Sequence, residues 1–182
     1  EGSARVPLII SGPATPIKKN GFRNNSPVSL LDLFPTFIQI ADGKVPDYCQ
    51  SISLLPILRG EANELQEAVF SEIAENATNG GNLKYMVRGL RWKWHIKNKS
   101  GQQYLFDMKA DPYEMNNLAA SSSHDEILRN QRERLLNFLM SKQLNHARGY
   151  KPLFSRIGLK FDIDDPEERK NSIYKSLKMV HE

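Results

Sequence analysis

A chain of 182 residues has the length of one ordinary domain, or of a small domain attached to part of a larger one. With 40% apolar and 25% charged residues the composition is globular, which excludes a disordered polymer, and no apolar run approaches the ~18 residues that cross a bilayer. The formal net charge of +4 permits an anionic partner without demanding one, and the lone cysteine, Cys49, excludes an internal disulfide.

Residue 1 is Glu, with no initiator Met and no signal segment ahead of it, so a chain cut or processed from something longer is expected. Arg5–Ser11 (RVPLIIS) is a short apolar run closed by Gly12-Pro13. A run that is apolar on both faces predicts a strand buried inside a parallel sheet, with Pro7 tolerated near its start. A Pro-, Lys-, Asn- and Gly-rich loop follows over 13–27. Phe34, Phe37, Ile38 and Ala41 then recur at helical spacing, with Leu30 and Leu31 leading in, Asp32 as the expected N-cap, Pro35 in the first turn and Gly43 as the stop. Strand, loop and helix make half of an α/β layer whose other half is not in this chain.

Residues 51–59 (SISLLPILR) predict a short apolar segment and 68–72 (AVFSE) a strand. Gly89-Leu90 suits a two-residue type II′ turn, which pairs Arg88 with Arg91, Val87 with Trp92, Met86 with Lys93, Tyr85 with Trp94 and Lys84 with His95. Opposed residues share a face, so Tyr85, Val87, Trp92 and Trp94 form a face that can be buried. Lys84, Arg88, Arg91, Lys93 and His95 form one that cannot. Tyr104–Met108 extends this sheet. Asp111-Pro112 is turn chemistry and connects the sheet to a final helix, opened by the capping-box pattern Ser123-His124-Asp125-Glu126. That helix carries a stripe of Leu128, Leu135, Phe138 and Leu139 and is expected to end near His146–Gly149. The acidic-basic run Asp162–Lys170 is expected to be solvated.

Four segments in order resemble the C-terminal portion of the type I, formylglycine-dependent sulfatases of the alkaline-phosphatase-like superfamily. They are EGSARVPLIISGP (Glu1–Pro13), SLLDLFPTFIQIADG (Ser29–Gly43), SISLLPILRG (Ser51–Gly60) and YLFDMKADPYEMNNLA (Tyr104–Ala119), together spanning roughly residues 1–140. The resemblance implies an α/β (α+β) fragment: the last strand and helix of a large mixed sheet, followed by a small antiparallel sheet packed on a C-terminal helix. It divides the chain into the end of the catalytic α/β domain (1–66), a small sheet-plus-helix subdomain (67–146) and an extended tail (147–182). It also implies hydrolysis of a sulfate ester by the full-length protein, with calcium and formylglycine as its reactive groups, and a periplasmic, secreted or lysosomal-type compartment.

None of that reactive apparatus matches this chain. Cys49 lies in Asp47-Tyr48-Cys49-Gln50-Ser51, without the Pro two residues on and the Arg four residues on that mark a formylglycine precursor. No catalytic or metal residue is therefore assigned, and the chain alone is expected to be inactive. Residues 76–106 contain six Lys or Arg and no Asp or Glu. Arg91, Lys93 and His95 are the substrate-proximal candidates on this basic wall, which would face a sulfated small molecule or glycan; a solvated edge hairpin is the plainer reading. Asp107 is the acid nearest to offset Arg91. The expected partners are the missing N-terminal catalytic half and the substrate, not nucleic acid or membrane, with self-association possible through the bare edge of the Val6–Ile10 strand. The rival functions are a phosphonate or phosphodiester hydrolase of the same superfamily, and a non-catalytic module that binds anionic glycans.

Overall fold

The computed structural model describes residues 5–12, 21–75, 82–97 and 100–141. The predicted tail (147–182), its charged run and the expected end of the last helix lie outside the described residues. The chain forms two compact units, Glu1–Glu67 and Ala68–Glu182.

The first unit is helical where it is regular. A 3-10 turn, Leu30–Asp32, runs into helix α1, Leu33–Ile40, and helix α2 spans Leu55–Arg59. Ser29 rather than Asp32 caps the entry: its hydroxyl accepts from Leu31 N, and the Asp32 carboxylate reaches back to Ser29 N at 2.8 Å, a reciprocal capping box. Asp32 is only 2% exposed, and its carboxylate also accepts from Ile52 N (3.1 Å) and Gln66 Nε2 (2.9 Å). Thr36, one turn on, accepts from Leu54 N at 2.8 Å. The polar side of α1 therefore turns inward, toward the segment carrying Leu54, Leu55, Ile57 and Leu58, all buried. Gly60, left-handed at φ +69°, ends α2 with its N–H and that of Glu61 on the carbonyls of Ile57 and Pro56.

Two expectations change here. Residues 5–12 carry no strand, and Val6 and Ile9 are exposed (53% and 86%). A strand needs a neighbour to satisfy its backbone groups, and no described segment pairs with this one. The edge through which self-association was expected is thus not formed among the described residues. Leu30, Leu31, Phe34 and Phe37 are exposed, because the Asp32 and Thr36 hydrogen bonds orient the opposite side of α1 inward.

The second unit is a four-stranded antiparallel sheet in the order β1-β2-β3-β4, followed by a helix. Its strands are β1 (Ala68–Glu75), β2 (Asn82–Gly89), β3 (Trp92–Lys97) and β4 (Gln103–Asp107), and helix α3 runs Asp125–Ser141. The sheet and its covering helix, taken together with the helices of the first unit, match the mixed α/β fragment expected. Tyr85, Val87, Trp94, Ile96 and Leu105 alternate onto one face and pack with Leu128, Leu135 and Leu139 of α3 into a core in which each is at most 2% exposed. Phe70 and Phe138 stack at its margin, 4.0 Å between centroids and 8° from parallel. Gln103 Oε1 accepts from both Trp94 Nε1 (3.3 Å) and Arg132 Nε (3.0 Å), tying β4 to α3.

The hairpin register differs by two residues from the predicted one. Arg88 pairs with Lys93, Val87 with Trp94, Met86 with His95, Tyr85 with Ile96 and Lys84 with Lys97, so the turn is four residues long. Arg88 Nη1 closes that turn on the carbonyls of Gly89 and Leu90. Arg91 instead turns to the end of β4, its carbonyl accepting from Met108 N at 2.8 Å. Because side chains alternate with period two, this slip leaves every strand residue on its predicted face. The outer edge of β4 is finished by the turn that follows it. Asn117 Oδ1 accepts from Leu105 N (2.9 Å), Asn117 Nδ2 donates to Gln103 O (3.3 Å), and Leu118 N donates to Leu105 O (2.8 Å). The last helix is entered through a 3-10 turn, Ser122–His124, with the Ser123 hydroxyl bonded to Ser121 Oγ and His124 Nδ1, which differs from the capping box expected at Ser123.

Leu135 fills the centre of the α3 contact, so Leu135→Ala should lower the unfolding free energy of the chain by about 2–5 kcal/mol in urea titration. A loss under about 0.5 kcal/mol would mean that α3 is not packed on the sheet.

Candidate functional site

The face of the sheet opposite α3 carries its basic side chains. The pairing sets three rows across the strands: Val69, Arg88, Lys93 and Phe106; Ser71, Met86, His95 and Tyr104; and Ile73, Lys84 and Lys97. This face was expected to be too polar to bury, yet Lys93 and Phe106 are each 6% exposed and His95 is half-buried.

Lys93 tolerates burial because the loop after β4 returns a carboxylate to it. Glu114 Oε1 lies 2.8 Å from Lys93 Nζ. Glu114 adopts a left-handed backbone, φ +59°, which costs a non-glycine residue about 1 kcal/mol or more. The Asp111 side chain accepts from Asn116 N at 2.7 Å and shapes the turn that carries it. Lys93 is thus neutralised and held. Arg91, expected on a strand, lies in the turn, where its Nε and Nη2 donate to Asp107 Oδ2 at 3.1 and 2.8 Å and its guanidinium sits 4.8 Å from the Trp92 ring centroid. Asp107 is therefore the acid for Arg91 that the sequence suggested. The Arg91 hydrogen bond holds its carboxyl below the usual aspartate range against the opposing effect of burial.

His95 stacks on Tyr104, 4.5 Å between centroids and 26° from parallel, with Phe106 at 5.9 Å. Burial lowers its pKa below the ordinary 6.5; the charges of Lys93, Lys97 and Lys84 lower it further, and Glu114 partly opposes them. Of the three candidates, Lys93 and His95 are thus neighbours on one face, while Arg91 stands apart at the turn. Glu114 and Tyr104 were not singled out from sequence. Tyr104 was legible as the residue facing His95 once β4 was recognised, whereas nothing short of the loop's path could join Glu114 to Lys93.

Cys49 is half-buried with Sγ 3.3 Å from Ser51 Oγ, a small packed side chain. Among the described residues no group of three or more His, Cys, Asp or Glu side chains converges as a metal ion requires, so these residues form no site for the implied calcium. No helix among them is long and apolar enough to cross a membrane.

Glu114→Gln keeps the shape of the side chain but leaves the Lys93 ammonium buried without its counter-charge. It should cost about 3 kcal/mol in chemical denaturation, whereas Lys93→Met combined with Glu114→Gln should cost clearly less. For His95, the unfolded state binds a proton more readily than the folded state. Its contribution is therefore complete above pH ~6.5 and is lost as pH falls through the lower folded pKa. The His95 imidazole resonance should titrate below that value and move upward in Lys97→Gln; a midpoint at or above it would show that the lysines do not act on the ring.

The family described as N-sulphoglucosamine sulphohydrolase, C-terminal, matches residues 1–141. The Δ4,5-hexuronate-2-O-sulfatase of Bacteroides thetaiotaomicron is 36% identical over 139 residues, covering 74% of this chain and 28% of that protein. Arylsulfatase K of Xenopus laevis is 32% identical over 127 residues, 65% of this chain and 23% of its own length. Among solved structures, a 2-O GAG sulfatase superposes with a TM-score of 0.55 at 33% identity over 76% of this chain and 28% of its own. Another, in complex with its substrate D-glucosamine-2-N,6-O-disulfate, superposes with a TM-score of 0.51 at 26% identity, covering 58% and 22% of the two chains. The chain spans about a quarter of the length of these curated relatives. It belongs to this family, as a C-terminal portion of a sulfatase of the alkaline-phosphatase-like superfamily.

Proposed function

We propose that this chain is the C-terminal part of an enzyme that hydrolyses sulfate esters of a carbohydrate, and that it contributes the small sheet whose basic face borders the substrate. The family match over residues 1–141 carries this reading. Two features support it. Lys93 on the basic face is held by Glu114, and Arg91, apart at the turn, is held by Asp107, so both charges stand in fixed positions. The exposed apolar side chains Leu30, Leu31, Phe34 and Phe37 offer the first unit a surface for the remainder of the enzyme. Formylglycine and calcium, which the family implies, are assigned to that remainder, and no step is derived through either. The roles of this chain's own residues are to bind and orient: Arg91, Lys93 and His95 lie on the substrate side, Lys93 and Arg91 held by their carboxylates and His95 presenting an imidazole that is neutral near pH 7.

Two assays test this. The purified 182-residue chain should not turn over an aryl sulfate or a sulfated disaccharide, while the complete reading frame should release inorganic sulfate from the disaccharide. Turnover by the chain alone would refute the assignment of the reactive groups. A complete protein that cleaves a phosphonate monoester and no sulfate ester would replace the sulfatase reading with the rival hydrolase.

A further inference from the structure

Helix α1 and the 3-10 turn before it are amphipathic in the reverse of the usual sense. Their polar side is locked inward. The Asp32 carboxylate accepts from the backbone of Ser29 and Ile52 and from the Gln66 amide, and the Thr36 hydroxyl accepts from Leu54 N while donating to the Asp32 carbonyl. Their apolar side is left open. Leu30, Phe34, Phe37 and Ala41 follow one another at spacings of four, three and four, which sets them close to one line along the helix, with Leu31 beside them. The two leucines and two phenylalanines are between 49% and 66% exposed. This seam cannot turn inward, since the rotation would carry Asp32 and Thr36 away from their partners. A row of large apolar side chains at this spacing is the pattern by which a helix docks in an apolar groove, not that of a solvated face.

We propose that the Leu30–Phe34–Phe37 seam is the docking face for the remainder of the sulfatase polypeptide, and that α1 is an interior helix of the complete protein. Length argues for this occupant. The chain matches its relatives as their C-terminal portion and covers 23% and 28% of two of them, which leaves about three quarters of each outside the match. Residues 30–41 contain one charged side chain, Asp32, and it faces away from the seam, so the surface that meets it is apolar rather than acidic or basic. The identity of the occupant rests on the proposed function; that the seam is covered rests on the packing of α1.

The experiment places a thiol on the seam and asks whether it is covered. Phe37→Cys is made in the 182-residue chain and in the complete protein, each is treated with a maleimide, and labelling is read by mass on the peptide carrying residue 37. Leu31→Cys, a smaller change on the flank of the seam, is read in the same way, and Glu126→Cys, exposed on α3 in the second unit, is the reference. Labelling at positions 31 and 37 should be at least about a hundredfold slower in the complete protein than in the chain alone, with position 126 labelled alike in both. Equal labelling of the seam in the two proteins, or slowing at position 126 as large as at position 37, would overturn the docking face. Protection in the chain alone that grows with its concentration would give the seam to a second copy, and protection that needs added phosphatidylcholine vesicles would give it to a lipid surface; either result overturns the proposal. If the seam is shielded while the complete protein releases no sulfate, the docking face stands and the enzymatic reading falls. If sulfate is released while the seam labels freely, only the docking face falls.

Discussion

The second unit depends on reconciling a buried ammonium with a sheet that carries like charges side by side. The observed register puts Arg88 against Lys93 and Lys84 against Lys97, and like charges set directly opposite across a strand pair are unfavourable. Glu114 answers it at Lys93 by returning from the loop after β4 in a conformation few non-glycine residues adopt. The backbone strain at Glu114 is sustained because the Lys93 pair would otherwise be left half-made in a nearly dry site. A single carboxylate thus links the sheet's charge pattern to the course of the loop beyond it.

That loop has a second duty, which explains its composition. Asn117 and Leu118 satisfy backbone groups along the edge of β4 that no strand among the described residues pairs with. Asp111 shapes the turn, Glu114 reaches the lysine and Asn117 serves the edge, so the Asp-Pro-Tyr-Glu-Met-Asn-Asn stretch is an architectural device rather than a catalytic one. In the first unit Asp32 has the equivalent position. Its buried carboxylate gathers three neutral donors from residues 29, 52 and 66, segments far apart in sequence. No cation is needed, since several hydrogen bonds to the ionised form can offset its desolvation.

Much of the second unit was legible beforehand because its faces are separated by period-two alternation. Tyr85, Val87 and Trp94 were placed in the core from spacing alone, and the Leu128, Leu135 and Leu139 stripe fell where 3.6-residue periodicity put it. The hairpin register was not legible, since Gly89-Leu90 satisfies a two-residue turn locally. The four-residue turn is selected by Arg91 bonding to Asp107 and Met108, sixteen or more residues away. The outcome at the first segment has the same kind of reason. Val6–Ile10 has the composition of an interior strand, but a strand is a property of a pair, and the sequence of one member does not supply the other. In the candidate site the lysines and His95 were visible as a basic run, whereas the acid that neutralises Lys93 could be found only from the fold.

The two-residue difference between expected and observed hairpins has a consequence for how this protein can change over time. Shortening the Gly89–Trp92 connection by a pair of residues would keep tryptophans and lysines on their own sides, whereas removing one residue would trade them, driving ammonium groups under α3 and indoles into water. Natural length variation at this connection should therefore come in even steps, and the tip of the hairpin can be remodelled without disturbing either the helix-covered interior or the charged surface behind it.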